Sequence, residues 1–280
     1  MNARPRTLAA RIALNVVAVV IIVCSVFPVY WMVNTALQPG SAIQTTTPHL
    51  WPDQLTWRSF QTAATDPGFG SALGISLGVT LLTVATALVF AFVASIAVSR
   101  YRFRSRKSFI IAILVIQMIP AEAMIISTFR VLDGWNLLNT IVGLSAIYIA
   151  TVLPFTIWTL RGFVGGIPAD LEEAAMIDGC SRSGAFWRIT FPLLAPGLVS
   201  TGIFAFIQAW NEFVFALVIM TRPEAQTLPI WLRSFVQATK ATDWAVVMAG
   251  STLMAIPVIV FFLIVQGRMS GGMVAGAVKG

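Results

Sequence analysis

Glu122 and Glu212 are carboxylates set inside long apolar stretches, where an ionisable group is costly and is usually kept for a purpose. Each lies 14 residues into its stretch, so both sit at similar depth if the stretches cross a membrane in the same direction. Beside Glu212, the residues Phe204, Gln208, Asn211 and Phe215 recur at three- and four-residue intervals and share one face of a helix. An aromatic ring next to amides suits the apolar ring face and the hydroxyls of a sugar, which makes this face a candidate lining for a solute pathway. The same Asn211 and Glu212 can instead hydrogen-bond a neighbouring helix and only hold a bundle together. Glu122 reads as a structural pairing or gate position before a substrate contact, and either carboxylate can also carry a coupling proton or cation.

A second polar cluster runs from Asp170 to Pro196. Pro168 stops the preceding helix, and Asp170 with Glu173 is expected to form a capping pair at a new start. Glu172 and Glu173 complement the positive end of that helix. Leu171, Ala174, Ala175 and Asp178 fall on one stripe, whose alanines keep it low enough for another protein's groove to approach. Gly179 stands where a left-handed residue ends the helix, and Ser181 or Ser183 can cap a second one through Phe186, Trp187 and Ile189. Pro192 and Pro196 are expected to separate that helix from the next apolar span.

Catalytic chemistry has no foothold here. The chain has no Gly-x-x-x-x-Gly-Lys-Ser/Thr phosphate loop, no Ser/His/Asp arrangement and no cluster of His and Cys for a metal. His49 is the lone histidine and reads as a surface residue; Cys24 lies mid-span and Cys180 in a polar loop, so no disulfide joins them. The expectation is a non-enzyme with no cofactor and no metal.

These residues need elements to hold them, and composition sets what those are. Hydrophobic residues make up 58% of the chain and charged ones 10%, against roughly 25% charged in soluble domains. Six segments are long enough to cross a bilayer: approximately 12–34, 71–98, 108–130, 140–160, 198–220 and 244–266. Only helices satisfy their backbone in lipid at such lengths, so the fold class is an all-α membrane protein, a single domain over 1–280. Thirteen of the 18 cations fall on the side of the two tails, the Arg100–Lys107 run and the 161–197 loop, which predicts cytoplasmic termini. Arg58, Arg130, Arg222, Arg233 and Lys240 lie on the other side. The charge of +7 is thus a topology signal and implies no nucleic acid. The first apolar run is too long for a signal-peptide core and is read as an anchor. Pro120 and Pro154 are expected to kink the third and fourth spans. The outer segment 36–70 is long enough for small interfacial helices.

The Asp170–Pro196 cluster carries a resemblance. Glu173-Ala174-Ala175, Gly179, Ile189 and Phe191-Pro192 match the spacing of the EAA loop of ABC importer permeases, with Phe191 in place of the usual Leu and Cys180 where Ala is common. The six-span order, Ala209-Trp210-Asn211-Glu212-Phe213 and the tail Gly276-Ala277-Val278-Lys279-Gly280 resemble the maltose-type, carbohydrate-importing branch. That resemblance implies a type I ABC importer permease-like bundle in a bacterial inner membrane. Its implied partners are a cytoplasmic ABC ATPase dimer that uses the ATP, a second and different permease chain, an extracytoplasmic solute-binding protein and membrane lipid. Glu173, Ala174, Ala175, Asp178, Gly179, Ile189 and Pro192 would then fit the ATPase. An ion-coupled secondary transporter stays as the alternative, although such proteins usually show inverted repeats. So does the same importer class carrying another polar solute, such as glycerol phosphate or an osmolyte.

Overall fold

The computed structural model describes residues 8–43, 50–236 and 242–277. Arg4, Arg6, His49, Lys240 and the tail from Val278 onward, on which parts of the reading above rest, lie outside the described residues. In chain order the helices are α1 (Leu8–Ala36), α2 (Gly40–Ile43), α3 (Arg58–Ala64), α4 (Phe69–Arg100), α5 (Arg106–Gln117), α6 (Ile125–Gly134), α7 (Ile141–Gly166), α8 (Asp170–Ile177), α9 (Arg182–Ala185), α10 (Phe191–Asn211), α11 (Val214–Ile219), α12 (Leu228–Arg233) and α13 (Trp244–Ala277). Tight 3-10 turns occupy Ala121–Met124 and Pro223–Ala225, and Phe186–Thr190 is π-helical. No strand occurs among the described residues.

The chain divides into two compact units. The first comprises residues 1–66 and 232–256. Its α1 carries an apolar run over Ile12–Ala36 whose most apolar 18-residue stretch is nowhere buried within the chain, as for a helix whose neighbours are lipid or other chains, while Asn34, Thr35 and Ala36 at its end are buried. The segment after α1 does form short helices, α2 and α3, and Thr56 N–H donates to the Leu37 carbonyl at 2.9 Å to turn it back. Asp243 starts α13, its Oδ1 accepting from the amides of Ala245 and Val246 at 3.0 and 3.4 Å.

The second unit comprises residues 67–231 and 257–280 and is built on α4, α7 and α10 packed against one another. Besides Val79, Val84 and Val98, the residues that α4 buries are Ala72, Ser76, Thr80, Thr83, Ala87, Ala91 and Ser95, small residues at helical spacing that let backbones approach closely. Ser145 Oγ donates to the Val79 carbonyl at 3.2 Å, tying α7 to α4. On α10, a Cβ at Gly197 would lie 2.6 Å from Phe163 Cγ, so only glycine lets α10 approach α7 there. Val79, Leu144, Ile147, Tyr148, Phe215 and Ile219 form the main apolar core. At one end, Asn139 in left-handed backbone (φ 59°) accepts from the Arg222 amide at 2.9 Å, joining two turns distant in sequence.

Three sequence expectations are corrected. The third apolar segment is two arms, α5 and the Ala121–Gly134 piece, meeting at 86°. Pro120 is extended (ψ 117°) and has no N–H to continue the ladder, so its effect exceeds a kink. By contrast α7 runs through Pro154 without a break. The fifth span is not 198–220 but Arg182–Asn211, and Pro192 and Pro196 do not separate it from the helix before. Pro192 stands in the first turn of α10, where a missing N–H costs no bond, and Phe191 N–H reaches five residues back to Phe186 across the π-helical turn. Finally, Asp170 does not cap α8: Ala169 occupies the cap position without a side-chain bond, and Asp170 is already helical.

Candidate functional site

The first candidate surface is the α8–α9 loop. Asp170, Glu172 and Glu173 all lie in the first turn of α8, facing its positive end. Gly179 has φ +90° and its neighbour Cys180 N–H bonds the Ala175 carbonyl, the left-handed ending its residue type implies. Ser181 caps α9 by accepting from Gly184 N–H at 3.1 Å, which decides between the two serines.

The alanine stripe divides between two directions. Ala175 is buried against the rest of the unit, while Leu171, Glu173, Ala174, Asp178 and Gly179 are exposed and Ile177 is 87% exposed. Of the remaining candidates, Ile189 is half-buried and Pro192 exposed.

Sequence reasoning missed what holds this loop. Glu172 Oε1 accepts from Thr190 Oγ1 at 2.5 Å and pairs with an Arg100 guanidinium nitrogen at 3.3 Å. One carboxylate thereby ties α8 to the end of α4 and to the π-helical turn. The available signal was weak: Glu172 and Glu173 look alike in sequence, and only burial of Ala175 shows which neighbour turns inward.

The second candidate is a cavity of about 670 Å³ beside the broken third segment. Glu122 lines it from the 3-10 turn, Phe204 and Gln208 from α10, and Phe215 from α11. Gln117, Thr151 and Phe155 line it too, and none of the three was singled out from sequence. Thr151 and Phe155 are four apart on α7, and Gln117 is an amide in an apolar run, so a scan for polar residues within spans would have found two of them. The rings of Phe155 and Phe204 lie 4.0 Å apart at 36°.

Asn211 and Glu212 are placed elsewhere. The expected common helix face of Phe204, Gln208, Asn211 and Phe215 ends at Asn211, because Glu212 is extended (ψ 129°) and α11 starts anew. Asn211 Nδ2 donates to the Ile207 carbonyl of its own helix at 2.9 Å. Glu212 accepts from the Phe215 and Ala216 amides at 2.8 and 3.1 Å and from the Tyr148 hydroxyl at 2.5 Å. Its carboxylate thus takes three donors from within the bundle.

Chemically, the cavity offers two tilted aromatic rings in mutual contact, two amides, two hydroxyls and a carboxylate, a set suited to a polyhydroxylated solute. Among the described residues no group of three or more His, Cys, Asp or Glu is arranged for a metal.

Comparison with known proteins places these features. Residues 87–273 match the family model of the binding-protein-dependent transport system inner membrane component. The chain is 44% identical over 275 residues to a diacetylchitobiose uptake system permease protein of Streptomyces coelicolor, covering 98% of this chain and 99% of that one. It is 35% identical over 257 residues to a trehalose transport system permease protein of Mycobacterium tuberculosis, covering 91% and 93%. Among solved structures, it superposes with TM-score 0.78 at 22% identity on a chain of a bacterial ABC transporter involved in import of the acidic polysaccharide alginate, covering 95% and 99%.

Proposed function

This chain belongs to the binding-protein-dependent inner-membrane transport components and has the all-helical type I ABC importer permease fold, and on that premise we propose how its parts divide the work. As a permease subunit of an ATP-driven importer it is a multi-pass membrane protein and not an enzyme, and it works with a solute-binding protein. The solute is a sugar, a di- or oligosaccharide class in keeping with what its relatives in Streptomyces and Mycobacterium are named for. The observation that carries this is the cavity: the paired rings of Phe155 and Phe204 line it together with Gln208, Gln117 and Glu122, a set of groups that suits a neutral polyol. A carboxylate in that lining disfavours an anionic solute such as glycerol phosphate.

Energy enters through the loop. The exposed side of α8, with Glu173, Ala174, Asp178 and Gly179, docks a cytoplasmic ATPase, with Ile189 and Pro192 at its margin. Ala175 packs inward and transmits the movement. A second permease chain completes the pathway, and the exposed apolar surface of α1 supports such a neighbour or lipid. Both termini face the cytoplasm in this reading, which the excess of thirteen cations against five supports.

Uptake of labelled disaccharides by cells carrying the chain together with a solute-binding protein, a second permease and an ATPase of the same importer class tests this reading. Disaccharide uptake is expected, and Glu173→Lys is expected to release the ATPase from the membrane and abolish it. Unchanged uptake with Glu173→Lys, or transport of glycerol phosphate in place of sugar, overturns the corresponding part.

A further inference from the structure

Away from both sites, Ser99, Arg106, Trp158, Arg161, Gly162 and Gly165 enclose a second cavity of about 350 Å³, where α4 ends, α5 begins and α7 nears its end. No carboxylate lines it. Arg161 is held in place from two sides: its guanidinium carbon lies 5.2 Å from the centroid of the Trp158 ring, and its carbonyl accepts from Ser99 Oγ at 3.3 Å. Gly162 and Gly165 keep the wall open, since a Cβ at either would meet nothing within 4 Å. Trp158 is 41% exposed, an amphipathic ring of the kind that settles at headgroup level. The neighbouring Arg102, Arg104 and Lys107 add charge of the same sign.

We propose that this cavity binds the phosphate of an anionic glycerophospholipid, with Arg106 and Arg161 as the two cationic contacts and the acyl chains lying along the exposed apolar side of α5. Arginine is the suitable residue because its planar fork gives paired donors to phosphate oxygens while its face stacks on Trp158. Ile111, Val115 and Ile116 on α5 are exposed and apolar, so the surface running from the cavity suits chains as the cavity suits a headgroup. The assignment rests on the proposed orientation only for which leaflet is meant; binding itself is independent of transport.

Native mass spectrometry of the full chain, released from phosphatidylcholine nanodiscs containing phosphatidylglycerol, is the test. Each charge-assisted contact to a phosphate oxygen contributes about tenfold, so Arg106→Gln with Arg161→Gln, which removes both contacts, is expected to lower the retained phosphatidylglycerol about 100-fold. Gly162→Leu keeps every charge and fills the wall at a helix position that tolerates leucine, and it is expected to lower retention as well. Arg102→Gln with Arg104→Gln removes only nearby charge and no cavity contact, and is expected to lower retention several-fold less than the site variant. Loss in that control equal to the loss in the site variants, or full retention in both site variants, overturns the proposal. Displacement of the lipid by millimolar inorganic phosphate would assign the cavity to a free anion and overturn the lipid assignment. If the double variant cannot be purified, Arg106→Gln alone and Gly162→Leu decide the matter.

Discussion

The Tyr148 hydroxyl donates to Glu212 Oε2 at 2.5 Å across 64 residues of sequence, and the same carboxylate takes the amides of Phe215 and Ala216. Three donors on one partly buried carboxylate make Glu212 a joint between α7, α10 and α11. Tyr148 is 2% exposed, so its hydroxyl has no water to turn to if the carboxylate is removed.

Glu212→Ala is therefore expected to destabilise more than Tyr148→Phe. The alanine strands the hydroxyl and two amides, at about 1–3 kcal/mol for each buried unsatisfied group, whereas the phenylalanine removes one donor and leaves two in place. Thermal unfolding of the purified chain in detergent orders the two; equal shifts would show that the amides do not depend on Glu212.

Asn211 and Gln208 separate a helix-bound amide from a cavity-lining one. Asn211→Ala loses a bond within its own helix and should leave uptake within about twofold, while Gln208→Ala should raise the KM for the imported sugar about fivefold, the loss of roughly one hydrogen bond. Uptake measured across solute concentration distinguishes them. Equal effects would remove the cavity from the pathway.

Glu172 should act through position. Glu172→Gln weakens its pairing with Arg100, a partly exposed contact at 21% on both sides that contributes about 1 kcal/mol or less. Faster hydrogen exchange over residues 170–179 is expected, together with reduced transport at normal ATPase association. Glu173→Lys should lose association outright while raising exchange only slightly, the cost of a cation in the first turn of α8. Identical behaviour of the two variants would mean that both face the same partner.

Two glycines should fail for different reasons. Gly179→Val places a branched side chain at φ +90°, a backbone that costs about 1–2 kcal/mol for an L-residue, and loosens only the loop. Gly197→Ala sets a Cβ against the Phe163 ring and should cost about 1–3 kcal/mol in bundle stability. Unfolding midpoints read the second and loop exchange the first.

How far the sequence reached follows from how local each feature is. The all-helical spans, the Gly179 turn and the Ser181 cap depend on a few adjacent residues, and all appear in the structure. Asp170 was misjudged because several acidic residues compete for one helix start, and backbone angles choose among them. Pro192 was misjudged because a proline reads alike whether it ends a helix or opens one. The π-helical turn that lets the chain run on through it has no separate signal. Glu122 and Gln208 were found as polar residues in apolar spans, but their joining with Gln117, Thr151 and Phe155 was not.

By itself, then, the sequence determined that this is a helical membrane protein with an exposed polar loop of two short helices, because hydropathy, caps and breakers act within one or two turns of chain. Tertiary structure alone decided that Glu212 is a structural joint, that Glu172 holds the loop, that the third segment bends by 86°, and which residues share the cavity. Each of these depends on where helices distant in sequence bring their side chains together. The close approach of α4, α7 and α10 sets that arrangement, and no local pattern encodes it.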